Sequence, residues 1–312
     1  MPTILDHHAL ANWVPHRGAN LIPDVIELAD DRVTATSRTR IGAEDPRGRG
    51  IFSRDGAVNA DGQRGRIWIE PFISELLALT GIPLLTEKLN AQGHVAVFSM
   101  MSRLTMKHPA PFAGEMLGYS KITRQRSDFT VFSTNATVDG AEVFSAEVMS
   151  GTAKMADICA FPVRPFAADP GGEPVDPALF AFKPRSQRYV DRVLGADATT
   201  GTLRCAYTYP TDHPFVPGHF PGAPLMMGVT QWLAIADATW LAKRRFGLTG
   251  PVIADGSITR PDGGAVLDVR GLELAEEGGL PRITASNRIA FREPVRPGDG
   301  LVIEVKLRAG AL

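Results

Sequence analysis

Two cysteines are too few to staple a chain of this size. Cys159 and Cys205 stand far apart and no C-x-x-C occurs, so a disulfide framework is excluded and a reducing compartment is expected. Charge of one sign is equally scarce: 33 Lys and Arg face 34 Asp and Glu, a formal net charge of -1. Proteins that grip a phosphate backbone carry a basic field, and this chain has none to offer. No apolar run approaches the roughly 20 residues that a membrane-spanning helix needs. The opening residues, MPTILDHHALANWVPH, lack the basic start and unbroken apolar core of a secretory signal. What is left is an ordinary globular composition, 44% hydrophobic and 21% charged, and a soluble, cytoplasmic protein with no nucleic-acid partner is the expectation.

At 312 residues the chain is long for one core, and two domains are expected. The strongest break is FPVRPFAADPGGEPVDPALFAFKP, residues 161–184, which is dense in Pro and Gly and has no sustained periodicity. The same order of events stands on either side of it. In the first part, GANLIPDVIELADDRVTATSRTRI reads as strand, and IWIEPFISELLALTGIPLLTEKL reads as a helix apolar on most faces, hence buried. HVAVFSMMSRLTM, EMLGYSKITRQ and DFTVFSTNATVDGAEVFSAEVMSGTAKM follow as β-like runs, the last folded at Asp-Gly. In the second part, RYVDRVLGADATTGTLRCAYTYP leads to a long apolar helix over about 226–245, with cations in its last turn and Gly247 as C-cap. AVLDVRGLELA, RITASNRIAF and LVIEVKLRA supply the later strands, and HPAPFAGE (108–115) and EPVRPGD (293–299) occupy matching places. The expected organisation is a strand-rich unit around one buried helix, duplicated: a first domain 10–158, a linker 159–184 and a second domain 185–312.

Chemistry concentrates in HPFVPGHFPGAPLMMGVTQWLAIADATW, from His213 to Trp240. A histidine in a Pro/Gly-rich turn precedes a glycine that opens an apolar helix, yet the helix positions where a partner acid would sit are apolar. Within it, GHFPGAPLMMGV closely resembles the H-F-P-G-x-P-x-M-x-G-V signature of the β-hydroxyacyl-acyl-carrier-protein dehydratases, a family with the hotdog fold. PHRGANLIPDV (15–25) and FREPVRPGDGLVIEV (291–305) resemble other segments of that family.

The resemblance implies an α+β double hotdog, two antiparallel sheets each wrapped around a buried central helix, forming a pseudo-dimer within one chain and open to further homodimerisation. It also implies an active site between the hotdogs, with a histidine from one and an acid from the helix of the other, fourteen positions after that half's own motif histidine. Counting from His219 lands on Leu233, so the second half has lost its acid; in the first, the ELLALTG pattern places Glu75 at the acid position, and counting back reaches Asp61, with no histidine between His16 and His94. His219 and Glu75 are therefore the expected composite catalytic pair, and Asp61 with Leu233 the dead mirror site. Gly228 and Val229, with Phe220 and Gly222 in the motif loop, are the expected oxyanion and substrate-binding positions. The implied substrate is a 3-hydroxyacyl thioester on the phosphopantetheine arm of an acyl carrier protein, with no cofactor and no metal, in fatty-acid or polyketide-type biosynthesis.

Physical chemistry suits the assignment. His219 as a neutral imidazole is a base for the α-proton, Glu75 among Phe72, Ile73, Leu76, Leu77 and Leu79 is an acid held partly protonated by burial, and the N–H of Gly228 lies where a helix dipole favours a developing oxyanion. Asp237, one turn after Leu233, either supports the site or pairs with an arginine. Glu70 before Pro71 reads as a helix-start carboxylate, and Met226, Met227, Trp232 and Trp240 as core or acyl-tunnel lining. His7 and His8 read as tail residues, and the cations of KRRF (243–246) and the arginines of 37–50 and 61–66 first as structural charges, second as carrier or phosphopantetheine contacts. Two departures from the family pattern stand out: Met227 replaces the usual proline, and the two strands expected after VKLRAGAL are missing unless residues 251–279 replace them or the chain is a piece of something longer. A hotdog thioesterase and a non-catalytic acyl-binding or structural module are the rival readings.

Overall fold

The computed structural model describes residues 1–58 and 63–308. Asp61, the expected relic of the mirror site, lies outside them. The elements run β1 (Thr3–Asp6), α1 (His7–Leu10), β2 (Val25–Leu28), β3 (Thr34–Arg40), β4 (Ser53–Val58), β5 (Arg64–Trp68), α2 (Pro71–Gly81), α3 (Pro83–Ala91), β6 (His94–Thr105), β7 (Glu115–Gln125), β8 (Phe129–Val138) and β9 (Ala141–Lys154). After α4 (Met155–Ala160) and β10 (Glu173–Pro174) come β11 (Arg192–Asp197), β12 (Thr202–Thr208), α5 (Gly228–Arg245), β13 (Val252–Thr259), β14 (Ala265–Glu277), β15 (Leu280–Phe291) and β16 (Gly300–Leu307).

The turn between β8 and β9 forms as the sequence requires, with Asp139 at φ 50° and Gly140 at φ 79°. The first-half helix does not run as one piece. Ile67 and Trp68 belong to β5, and the helix is interrupted at Ile82, because Pro83 has no N–H to donate and its ring crowds the preceding turn. α5 begins at Gly228 rather than 226, since the N–H of Met226 is committed to the carbonyl of Val295 at 2.8 Å and Met227 is extended at ψ 136°.

Two separate sheets were expected; one sheet of 14 strands is found, in the order β1-β2-β3-β7-β8-β9-β6-β15-β14-β13-β16-β12-β11-β10, beside a small β4-β5 hairpin. The junction is β6 with β15, antiparallel from Ala285 opposite Thr105 to Ala290 opposite Met100. Each of these strands has 12 residues; unpaired, each would leave a long exposed row of N–H and C=O groups, and their pairing removes both edges. Read outward from the junction, the two halves match: β6-β9-β8-β7-β3-β2 on one side and β15-β14-β13-β16-β12-β11 on the other. β13 and β14 therefore fill, in the second half, the places that β8 and β9 fill in the first. Residues 251–279 supply the two strands that the sequence pattern leaves unaccounted for, ahead of β15 and β16 in the chain instead of behind them.

The curled sheet encloses α2 and α5, which pack against its inner face and against each other. α2 is buried on nearly every face and α5 from Val229 to Lys243, which explains why neither shows a polar stripe. Residues 159–184 are held against the rest of the chain. Arg164 N–H donates to Asp299 Oδ1 at 2.6 Å, Glu173–Pro174 pairs with β11, and Phe180 and Phe182 are buried in the core.

Candidate active site

The motif loop and the start of α5 come from the second half; α2 and the loop around His16 come from the first. They meet in a cavity of about 290 Å³ whose walls include His16, Glu75, His219, Phe220, Gly228 and Gln231. The expected pair is thus brought together. One ligand-type atom from each of His16, Glu75 and His219 lies within 4.8 Å of the other two, and all three residues are buried. These are donor types that divalent metals use. They are equally the groups of acid–base chemistry.

His219 Nδ1–H donates to the carbonyl of Leu225 at 3.1 Å, which leaves Nε2 as the lone-pair nitrogen. Burial pushes its pKa down from 6.5 to about 4, aided by His16 and opposed by Glu75, and pushes His16 down to about 3, aided by Arg17. Both imidazoles are neutral near pH 7. Burial drives the Glu75 carboxyl the other way, from 4.5 to about 7, with His219 opposing. A base and a proton-bearing acid thus coexist at neutral pH, the arrangement that acid–base catalysis of an elimination requires.

That raised carboxyl has a stability consequence. Because the folded pKa lies above the unfolded one, the contribution is fully present below about 4.5 and is lost as pH rises through about 7. The rise corresponds to about 3 kcal/mol. Glu75→Gln is therefore expected to gain stability over the parent between pH 5 and pH 8, by an amount of that order in urea titrations; a pH-independent difference between the two proteins would contradict the assigned carboxyl.

Gly228 opens α5 and lines the cavity. The first N–H groups of a helix have no intrahelical acceptor and carry the positive end of its dipole. A Cβ here would come 3.0 Å from the Phe291 ring. Gly228→Ala is expected to raise KM at least as much as it lowers kcat, by pushing Phe291 into the cavity, while leaving the fold intact; an unchanged KM would show that substrate does not approach this glycine. Of the other expected binding positions, Phe220 lines the cavity, whereas Val229 is fully buried in the core and Gly222 turns the loop at φ 82°, neither on the cavity wall.

Asp237 is not part of this cavity. Its carboxylate pairs with Lys183, not with an arginine, and accepts the N–H of Tyr189 at 3.0 Å. Asp237 and Lys183, together with Leu233, Arg54, Glu70 and Phe182, line a much smaller cavity of about 20 Å³ on the mirror side of the helix pair. That lining holds no histidine. Arg54 and Glu70 form a second buried ion pair there, so Glu70 owes its place to a guanidinium as well as to the helix start.

Several of the remaining charges have partners within the fold. Lys243 pairs with Glu276, Arg245 with Glu173, and Arg244 stacks 5.4 Å over Trp240. Arg49 is held by Asp24 and Asp45, and Arg66 by Asp55. His7 contacts the carbonyl of Pro23 and Arg47. Met226 lines the cavity; Met227, Trp232 and Trp240 are core.

Two cavity residues were missed by the reading of the sequence. His16 lies in PHRGAN, a stretch noted only for its resemblance, 59 positions before Glu75 in the chain, a separation that no local spacing rule bridges. Gln231 lies one helical turn after Gly228, with Oε1 buried and unpartnered; a polar residue in an otherwise apolar helix was the available signal.

Among curated proteins, the 3-hydroxyacyl-[acyl-carrier-protein] dehydratase FabZ of Oleidesulfovibrio alaskensis is 34% identical over 119 residues, 38% of this chain and 60% of that protein. The enzyme of the same name from Albidiferax ferrireducens is 31% identical over 118 residues, 38% of this chain and 62% of that protein. The chain thus spans about three fifths of the length of these relatives. Among solved structures, the dehydratase heterocomplex ApeI:P from Xenorhabdus doucetiae superposes with a TM-score of 0.34 at 11% identity, over 48% of this chain and 93% of that one. A point mutant of the fluoroacetyl-CoA-specific thioesterase FlK gives 0.32 at 10% identity, over 41% and 90%. No family model matches the chain. Among the described residues no helix is long and apolar enough to cross a membrane.

Proposed function

We propose that this chain, which belongs to the hotdog dehydratase family, removes water from a 3-hydroxyacyl thioester carried on an acyl carrier protein and yields the trans-2-enoyl thioester. The observation that carries the reading is the meeting, in one buried cavity, of a neutral histidine with an oriented lone pair and a carboxyl whose pKa is raised to about 7. The two halves act as two hotdogs in one chain, a pseudo-dimer with a single composite site and a mirror position given over to ion pairs.

His219 Nε2 takes the α-proton, and its Nδ1–H to Leu225 stabilises the imidazolium that forms. The charge that develops on the thioester oxygen meets the first-turn N–H of α5. Glu75 protonates the departing 3-hydroxyl, which leaves as water. The proton on His219 then returns to Glu75 and restores both groups. The acyl chain lies along the apolar wall of Ala78, Ile82 and Phe98, which continues into a second small cavity closed by Gly81 and Phe132.

The test is product analysis with a 3-hydroxyacyl thioester, both carrier-bound and as a small thiol surrogate. Enoyl thioester with the thiol still attached supports the dehydratase. Free thiol and acid would replace it with a thioesterase, and tight binding without turnover with an acyl-binding module.

A further inference from the structure

His16 is 2% exposed, and its Nε2 lies 3.3 Å from Glu75 Oε1 without the alignment of a hydrogen bond. Neither ring nitrogen has another partner among the described residues, and Glu75 Oε2 is likewise unpaired. The ring stands edge-on to that of His219, centroids 4.9 Å apart, and to Phe220 at 5.2 Å. A buried imidazole with both nitrogens idle costs free energy in a purely structural role, and packing alone would be served by a phenyl ring.

The other half of the chain shows what this position is for. His16 stands eight residues before Asp24, after which β2 begins; Lys183 stands eight residues before Asp191, after which β11 begins. β2 and β11 hold matching places in the sheet. His16 meets the carboxyl of α2, and Lys183 meets the carboxylate of α5. One slot in each repeat therefore supplies the partner of the acid on its own central helix. Where the slot holds a lysine, the acid is fixed as a carboxylate in an ion pair. Where it holds a neutral histidine, the acid can keep its proton and lose it.

We propose that His16 is the positioning residue of Glu75: it holds the carboxyl so that its O–H can reach the substrate, and its Nε2–H donates to the carboxylate left when that proton departs with the hydroxyl. This role rests on the dehydratase reading above. In the step, the carboxyl O–H bond of Glu75 breaks as the proton forms water with the leaving hydroxyl, the charge stays on the carboxylate, and the imidazolium proton of His219 later restores the carboxyl O–H. The other ionisable groups around the cavity are Arg17 beside His16, Asp157 on α4, and Arg292 and Glu293 after β15.

The experiment follows the Glu75 carboxyl by ¹³C NMR titration, with turnover against pH, in the parent, His16→Gln, His16→Leu and His16→Lys. A donor to the charged form lowers a carboxyl pKa and a fixed cation lowers it by about 1–3 pH units. Glu75 is therefore expected to titrate higher than in the parent in the Leu variant and at least one pH unit lower in the Lys variant. Turnover should fall about tenfold or more in the Leu variant with its alkaline limb moved up, fall about a hundredfold or more in the Lys variant with KM little changed, and be largely rescued in the Gln variant, which keeps an N–H. A Glu75 titration indifferent to all three substitutions overturns the pairing, and so does a Leu variant with parental kcat and pH profile. An inactive parent whose carboxyl nevertheless moves as described removes the catalytic role together with the dehydratase reading and leaves the pairing standing. Should the Lys variant fail to fold, the Leu and Gln variants carry the same comparison.

Discussion

Glu75→Gln and His219→Ala should each lower the turnover of a 3-hydroxyacyl thioester by roughly 10²- to 10⁴-fold, and the double variant should lose little more than the worse single one. The expectation follows from one proton moving at each end of the same elimination: without the base no carbanion-like charge forms, and without the acid the hydroxyl cannot leave. Gln preserves the size of the side chain and removes only the proton. His219→Ala also opens space beside Phe220, stacked 4.6 Å from it, so its folded state should be checked by thermal denaturation. Alkaline pH should mimic the Gln substitution in the parent, since a carboxyl that titrates at about 7 loses the proton it must donate. If both variants retain parental turnover, the composite site is wrong. If only His219→Ala is impaired, the acid lies elsewhere, and the other carboxyl groups on the cavity wall, Asp157 and Glu293, become the next candidates.

The second large effect belongs to the mirror side. Lys183→Ala should destabilise the fold by about 3–5 kcal/mol, because it strands the Asp237 carboxylate in the interior. Burial already pushes the Asp237 carboxyl up and the Lys183 ammonium down despite their contact, so desolvation outweighs the attraction. Lys183→Met with Asp237→Leu should recover much of the loss, since removing both charges removes the desolvation cost; the recovery falls short by the Tyr189 N–H, which would lose its acceptor. Urea titrations measure both. A single variant as stable as the parent would mean that water reaches the pair. Turnover should change little in either protein once folded, because neither residue lines the cavity of His219 and Glu75.

Much of the site was readable in one dimension because its parts are local. The histidine, the turn glycine Gly222 and the start of α5 lie within ten consecutive residues, 219–228, and such a loop-to-helix unit keeps its identity wherever it is placed. Glu75 was readable through its ELLALTG segment, which resembles the family's helix pattern, and the leucines flanking the carboxyl on a helix with no polar face pointed to its burial. The hairpin at Asp139-Gly140 and the buried character of both helices were set by turn chemistry and composition in the same way.

Other features depend on partners far away in the chain. His16 gave no signal, because a histidine beside an arginine in a Pro/Gly-rich stretch is ordinary until α2 and the motif loop close around it. Asp237 could not be assigned, because its partner lies in the linker, 54 residues away. The single sheet in place of two, and β13 and β14 standing where β8 and β9 stand in the first half, follow from edge-strand hydrogen bonding that no local pattern encodes. Residue type and local pattern were enough to say which side chains can do chemistry and which helices must be buried. Which of those side chains share a cavity was settled by strand pairing over long stretches of chain, and with it which carboxyl keeps a proton beside a histidine and which is locked by a lysine.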